Sequence, residues 1–478
     1  MGLFQKPKYL SPDDCHKIHE ASLRVLNKIG IVFHHPEVLE ILKNNGAKVD
    51  NKKVYFPKSL VESALKHCPD SFFWKARNPE HSMTVGGLQA SCLFQPNLGP
   101  VYVHDLDHGR RNGTKADFVN FQKLTQASQV IQLAGALPVD ACDLPQKEKH
   151  ARLMAETLRH SDKPVIGFGG HLKQVEQQLD LVKIAFDDSE VLKNNHCIAV
   201  SVNPLSPLAF STDALETILA YTKNNQPLFI PPAVMTGVTG PASFFGTIIL
   251  QNVEILAALT LIQLLNPGNP TVYCTASVVT NMRRACFNTG APEGLMIHAA
   301  GLQMGKDFYN MPTRSLCGYT ESKEVDFQAG IESMGSLMMS MMTGCDIAVE
   351  FIGCLDSIMT TSYEKMIIDE EVISRMRCLE KGFDTSDQII EEAFEAIQQA
   401  GPGGSYLTLP STLNTFRSYW EPSVMDWRSY DDWENDEKRS LVHRANAKFK
   451  TILKEAPQTM IDEKLDQELR RYCDSAIY

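Results

Sequence analysis

Six aromatic and four cationic residues fall where a cavity could use them. Phe94, Phe168, Tyr273, Phe351, Tyr363 and Trp420 lie near candidate strand ends or in a late aromatic segment, and His171, Arg283, Arg314 and Lys323 stand in or beside the same loops. An aromatic face attracts a cation through its ring quadrupole, by about 0.5–2 kcal/mol per ring. A guanidinium, ammonium or imidazolium answers an anionic group on the same molecule. Singly, each ring is more often core and each cation more often a surface ion pair. The set as a whole suits a small organic cation that also carries an anionic group.

Other chemistries leave no local signature. There is no G-x-S-x-G elbow, P-loop, EF-hand, H-E-x-x-H or C-x-x-C in the chain. Its 12 cysteines are scattered, several of them in apolar surroundings, which suits buried thiols in a reducing compartment. The zinc reading that remains would assemble Cys274, Cys317 and Cys354 from distant strand ends.

The elements that would position these residues alternate from about Asn112 onward. Candidate strands are Ile131–Ala136, Pro164–Gly169, Cys197–Val202, Pro227–Pro231, Thr271–Ala276, Thr313–Gly318 and Asp346–Ile352. Helical patterns follow them at Gln146–His160, Val175–Phe186, Ala214–Lys223, Phe245–Leu265, Glu293–Lys306 and Gln328–Thr343. Residues 197–265 show the unit twice: an apolar run with almost no alternation, a loop of Pro, Ser, Asn and Gly, then a helix. Such runs are strands buried on both faces, and the loops at their carboxyl ends are where α/β proteins place their sites. Seven strands without long hairpins, and no G-x-G-x-x-G, favour an α/β fold of the (β/α)8 TIM-barrel type over an open sheet, with an eighth strand hidden in an irregular stretch. The expected organisation is a helical and irregular N-terminal extension over 1–111, the barrel over 112–400 and a helical C-terminal cap over 401–478. Within that cap Trp420, Trp427 and Trp433 cluster.

The net charge of −11 argues against nucleic acid or an anionic membrane as main partner. The start, MGLFQKPKYLSPDDC, has no apolar run of signal length, and Lys6 breaks the myristoylation pattern. A cytoplasmic protein is expected.

Long stretches resemble one family. NPLSPLAFSTDAL, PPAVMTGVTGPAS, NPGNPTVY, GYTESKEVDFQAGIES, SYEKMIIDEEV and GPGGSYLTLPSTLNTFR are similar to the trimethylamine methyltransferase family, as is the N-terminal segment from Leu10 to Leu65. The resemblance implies a (β/α)8 barrel and methyl transfer from a methylated amine to Co(I) of a corrinoid (cobalamin) presented by a separate small corrinoid-binding protein, with no cofactor held tightly by the chain itself. Trimethylamine enzymes carry pyrrolysine, whereas this chain has only the standard residues. It therefore resembles the non-pyrrolysine branch, which demethylates quaternary amines such as glycine betaine, proline betaine or carnitine. A quaternary nitrogen leaves as a neutral amine, so no essential general acid and no metal ligand is expected. The ten residues above become candidates for substrate binding, six as a cage and four for a carboxylate. A non-catalytic quaternary-amine sensor or scaffold, and a zinc-thiolate methyltransferase using homocysteine, are the alternatives. Barrels of this size often pair, which leaves a homo-oligomer open without the sequence deciding it.

Overall fold

The computed structural model describes residues 7–87, 91–284 and 286–475; the first six residues of the start read above lie outside them. Eight parallel strands form one sheet: β1 (Leu93–Pro96), β2 (Ala134–Gly135), β3 (Val165–Ile166), β4 (Ile198–Ser201), β5 (Leu228–Ile230), β6 (Thr271–Thr275), β7 (Thr313–Leu316) and β8 (Ile347–Ile352). Each pairs in parallel with its sequence neighbour from β2 to β8, and β8 returns to pair with β1. Phe94 O accepts from Gln132 N and Leu133 N, both at 3.2 Å, which brings the entrance of β2 against β1 and closes the ring. The hidden strand is thus Leu93–Pro96, within the stretch expected to be extension.

A helix follows every strand: α1 (Lys115–Ala127), α2 (Gln146–His160), α3 (Leu172–Ala185), α4 (Thr212–Lys223), α5 (Phe244–Leu265), α6 (Pro292–Gln303), α7 (Phe327–Met342) and α8 (Tyr363–Lys381). Their starts are chemically marked. Thr114 and Asp117 form a capping box on α1, and Ser211, Ser243, Asp326 and Ser362 cap α4, α5, α7 and α8 through their side chains. Helix α5 is apolar and long enough to cross a membrane, but 83% of its most apolar window is buried inside the protein. It is a core helix, covered by α4, α6 and the N-terminal helices Pro12–Lys28 and Lys58–Leu65.

The barrel floor is plugged. The antiparallel hairpin Ser71–Trp74/Met83–Gly86 carries Trp74 into the amino-terminal end, fully buried, its ring 6.0 Å from that of Phe229. Leu93, Ile166, Ala199, Phe229, Val272, Cys274 and Ile347 share this apolar layer.

Beside the floor, buried Lys163 donates to the carbonyls of Thr125 (2.7 Å), Ser128 (2.7 Å) and Ile131 (2.6 Å), and burial pushes its ammonium down to about 8. One side chain thereby ties the end of α1 to the entrance of β2. Lys163→Met would leave three carbonyls unpaired, each costing about 1–3 kcal/mol. Offset by removal of a buried charge, a net loss of ~2–4 kcal/mol is expected, seen as a lower urea midpoint; an unchanged midpoint would show that the carbonyls find other donors.

Candidate active site

Strand alternation decides what the barrel holds. On β1, Leu93 joins the interior layer while Phe94 joins the outer core between sheet and helices, so Gln95 and Asn97 follow Leu93 inward. By the same rule Ala199 places Ser201 inside. On β6 and β7 Cys274 and Arg314 are neighbours, and the Arg314 guanidinium lies 5.5 Å over the interior ring of Phe229. β8 breaks the alternation. Ala348 pairs with Phe94 and Ile352 with Pro96, so four steps along β8 match two along β1. That bulge holds Glu350 at φ +67°, a left-handed backbone rare outside glycine. It brings the Glu350 carboxyl within reach of Leu98 N, which donates to Oε2 at 3.0 Å. Burial pushes this carboxyl up to about 7, against the pull of Arg314 and the Leu98 amide.

These polar groups are buried and under-paired. Gln95, Asn97, Arg314 and Glu350 are all at most 4% exposed. Among the described residues both amide atoms of Gln95, Asn97 Nδ2, Ser201 Oγ, and Arg314 Nε and Nη2 have no hydrogen-bond partner. Buried polar atoms are almost always paired in native proteins, and an unpaired one costs about 1–3 kcal/mol. Their concentration above an apolar floor marks where a polar guest belongs.

The ten expected residues are not brought together. Phe94 and Phe351 face the outer core, 6.4 Å apart. Tyr273 also faces outward and donates to Asn252 Oδ1 on α5 at 3.0 Å. Tyr363 stacks between Phe121 (4.4 Å) and Phe449 (4.9 Å). Phe168 stacks on His150 of α2 at 5.5 Å. Trp420 lies along α8, donating to Ser374 Oγ at 3.0 Å with Trp427 against it. The six-ring cage is therefore corrected: a strand-end position does not say which face a ring takes, and five of these rings pack between layers. Of the cations, His171 is exposed and pairs with Asp213 at 2.9 Å, Lys323 is exposed with Asp356 at 3.4 Å, and Arg283 is an exposed loop residue. Arg314 alone of the four enters the barrel.

The zinc reading fares no better geometrically. Cys274 faces the interior, Cys317 the outer core, and Cys354 a cluster with Leu316, Tyr319 and Val349. Burial raises all three thiols above their ordinary range, which disfavours the thiolate a metal needs. Two donor groups among the described residues do sit within metal-chelating distance, Asp105/Asp107/His108 and His171/Asp213/Glu216, both with exposed members.

Above the interior, loops form the mouth. After β6 and β7 they enclose a polar cleft of about 520 Å³ lined by Asn281, Arg284, Phe287, Glu321, Lys323 and Asp326, among others. Glu321 accepts from Thr289 N (2.7 Å) and Asp326 caps α7, so both acids have structural partners. The loops after β4 and β5, the first turn of α5 and the hairpin after β6 expose Leu205, Val238, Phe244, Phe245 and Met282, an apolar rim. Behind the first of these, buried Glu254 accepts from Ser206 Oγ (2.7 Å) and Leu208 N (2.8 Å) and fixes the loop from above.

A closed (β/α)8 barrel, sealed below, polar within and apolar at its rim, is the frame of an enzyme that works at the strand ends. The chain belongs to the trimethylamine methyltransferase family, whose model matches residues 3–476, and is a methyltransferase. It is 35% identical to a glycine betaine methyltransferase of Desulfitobacterium hafniense (strain Y51), covering 98% of this chain and 97% of that one. A proline betaine:corrinoid methyltransferase of Eubacterium limosum is 34% identical over 86% of each chain. An L-carnitine:corrinoid methyltransferase of the same organism is 29% identical over 95% of each. Among solved structures, the monomethylamine methyltransferase of Methanosarcina barkeri superposes with a TM-score of 0.53 at 10% identity, over 96% of this chain and 90% of that one. This last likeness concerns the fold.

Proposed function

We propose that the protein moves a methyl group from a quaternary amine of the glycine betaine or proline betaine type to Co(I) of a corrinoid carried by a separate small protein. The observation that carries this reading is the presence, inside one barrel, of an under-paired buried Arg314 and, nearer the mouth, a buried Glu350. A betaine has the matching charges. Its carboxylate meets Arg314, with Gln95 and Ser201 as further donors. Its ammonium then lies toward Glu350, and an N-methyl points out of the barrel.

The chain's task in this reading is to hold and dehydrate. The leaving nitrogen departs as a neutral amine, so no residue has to protonate it; the buried interior excludes water and fixes the methyl in line with its acceptor. The apolar rim of Leu205, Val238, Phe244, Phe245 and Met282 fits the face of a macrocycle and of the partner that presents it. A corrinoid in its Co(I) state supplies the nucleophile. Names of the similar proteins support the substrate class and the corrinoid partner.

The test is direct. Under anaerobic reducing conditions the protein is mixed with Co(I) cobalamin or a corrinoid protein and a panel of betaines, and loss of the Co(I) absorption is followed. Silence across the whole panel would sink the proposal.

The acid near the ammonium makes binding pH-dependent. With its carboxyl raised to about 7, Glu350 is protonated and without attraction at pH 6, and ionised at pH 8. Glycine betaine affinity is expected to rise roughly tenfold across that interval. Isothermal titration of Glu350→Gln should show a flat profile; the same slope in that variant would assign the titration to another group.

A further inference from the structure

After α8 the chain leaves the body. From Gly382 to Tyr419 almost every residue is exposed, and the one long helix of this excursion, Asp387–Ala400, buries no residue. Yet the segment is rich in large apolar side chains. Phe383, Ile390, Phe394, Ile397, Leu407 and Leu413 are all more than half exposed, Phe383 by 80% and Leu407 by 78%. With aromatics worth about 150–250 Å² each, the arm bares on the order of 1,000 Å² of apolar surface. The largest apolar patch on a typical monomer is roughly 300–600 Å², and each side of a standard protein interface contributes about 800 Å². A second unpartnered stripe runs along the outside of α7, where Phe327 (84% exposed), Ile331 and Met338 recur at helical spacing.

Charge and position decide between occupants. The polar side of Asp387–Ala400 carries Asp387, Glu391, Glu392 and Glu395 and no Lys, Arg or His, the wrong sign for an anionic lipid surface. The arm also starts far from the barrel mouth. Helix α8 begins at the mouth and its 19 residues span about 27 Å; near its end Arg377 bonds the carbonyl of Cys92, just before the amino-terminal end of β1. A partner presenting a methyl acceptor at the mouth therefore meets other loops.

We propose that the arm is an exchange element between copies of this chain: the apolar side of Asp387–Ala400 in one protomer covers the α7 stripe of another, and reciprocally. Both halves of the contact are then on one sequence, as an isologous interface requires. The reading does not depend on which amine is the substrate, although the stripe begins at Phe327, between Asp326 and Gln328 of the mouth cleft.

Light scattering of the full-length protein at about 10 μM tests it. The wild type is expected at twice the 53.3 kDa chain mass, because a reciprocal contact closes at two copies. The arm variant Ile390→Asp/Phe394→Asp/Ile397→Asp and the stripe variant Phe327→Asp/Ile331→Asp should each give the single-chain mass with unchanged circular dichroism. Should either triple or double change prevent folding, Phe394→Ser and Ile331→Ser alone should each weaken self-association at least tenfold. A monomeric wild type, or an assembly that survives either change, overturns the proposal. So does cosedimentation of the wild type with anionic vesicles through the arm, or an arm variant that keeps its mass but loses affinity for the corrinoid protein.

Discussion

Arg314→Met is expected to lower glycine betaine affinity at least ~100-fold and, at the same time, to raise the melting temperature. Both effects follow from the same two nitrogens. Nε and Nη2 of a 2%-exposed guanidinium have no hydrogen-bond partner among the described residues. A carboxylate reaching them forms charge-assisted bonds worth about 1.5–3 kcal/mol each, so losing two gives a factor of roughly 100 or more. Without that guest, an under-paired charge stands in a closed interior. Such a buried ion carries a desolvation penalty of several kcal/mol that an apolar side chain of similar length does not. Glu350, its carboxyl already pushed up to about 7 and then without Arg314 beside it, turns neutral instead of being left as a stranded charge. Two measurements separate this from a purely architectural Arg314. Calorimetric titration should lose glycine betaine while leaving tetramethylammonium, which has no carboxylate, within about threefold of wild type. Thermal unfolding of the free protein should shift upward; a barrel strut would shift it downward and weaken both ligands alike.

Gly318→Ala is expected to cost more than about 4 kcal/mol, and to remove most soluble protein at 37 °C. Gly318 follows β7 with φ +68°, and a Cβ there would fall 1.6 Å from Cδ2 and 2.6 Å from Cα of Phe351. Backbone shift cannot relieve this, because the residue is held on both sides. Its amide donates to Ser336 Oγ (2.6 Å) and its carbonyl accepts from Ser333 Oγ (2.7 Å), both on α7. The control is Gly330→Ala on α7, where nothing lies within 4 Å of the added atom; there the change should be neutral or stabilise by about 0.5–1 kcal/mol. Urea midpoints of the pair, or soluble yield where Gly318→Ala does not fold, give the comparison. Equal midpoints would mean that Phe351 can be displaced cheaply.

Strand and helix order is legible because parallel barrel strands are nearly pure apolar runs and five of the eight helices are capped by Ser, Thr or Asp. The apolar run Pro227–Pro231 contains the strand Leu228–Ile230, and the helical pattern Gln146–His160 coincides with α2. Leu93–Pro96 was not legible: Leu-Phe-Gln-Pro carries a polar residue and a proline among only four positions. The site is harder to read still, because a residue's type is visible in the sequence and the strand face it takes is not. Phe94 has the ring, but Gln95 and Asn97 are the residues turned inward with Leu93. The signal that could have found the interior is a polar residue interrupting an apolar strand: Ser201 ending Ile-Ala-Val-Ser, Arg314 within Thr-Arg-Ser-Leu, Glu350 within Ile-Ala-Val-Glu-Phe-Ile. Even so, alternation alone would have turned Glu350 outward with Ala348. Only the bulge brings it in, and nothing in the sequence announces a bulge.

The Trp74 hairpin makes the barrel a vessel with one door. If the methyl acceptor docks across that door, the small substrate must already be inside, and the demethylated amine leaves only after the partner has gone. Such a vessel imposes a compulsory order of arrival and departure. Steady-state rates should then show the corrinoid protein, in excess, acting as an inhibitor against the amine it helps to consume. Their absence of interference would require a second passage through the floor that Trp74 and Phe229 close.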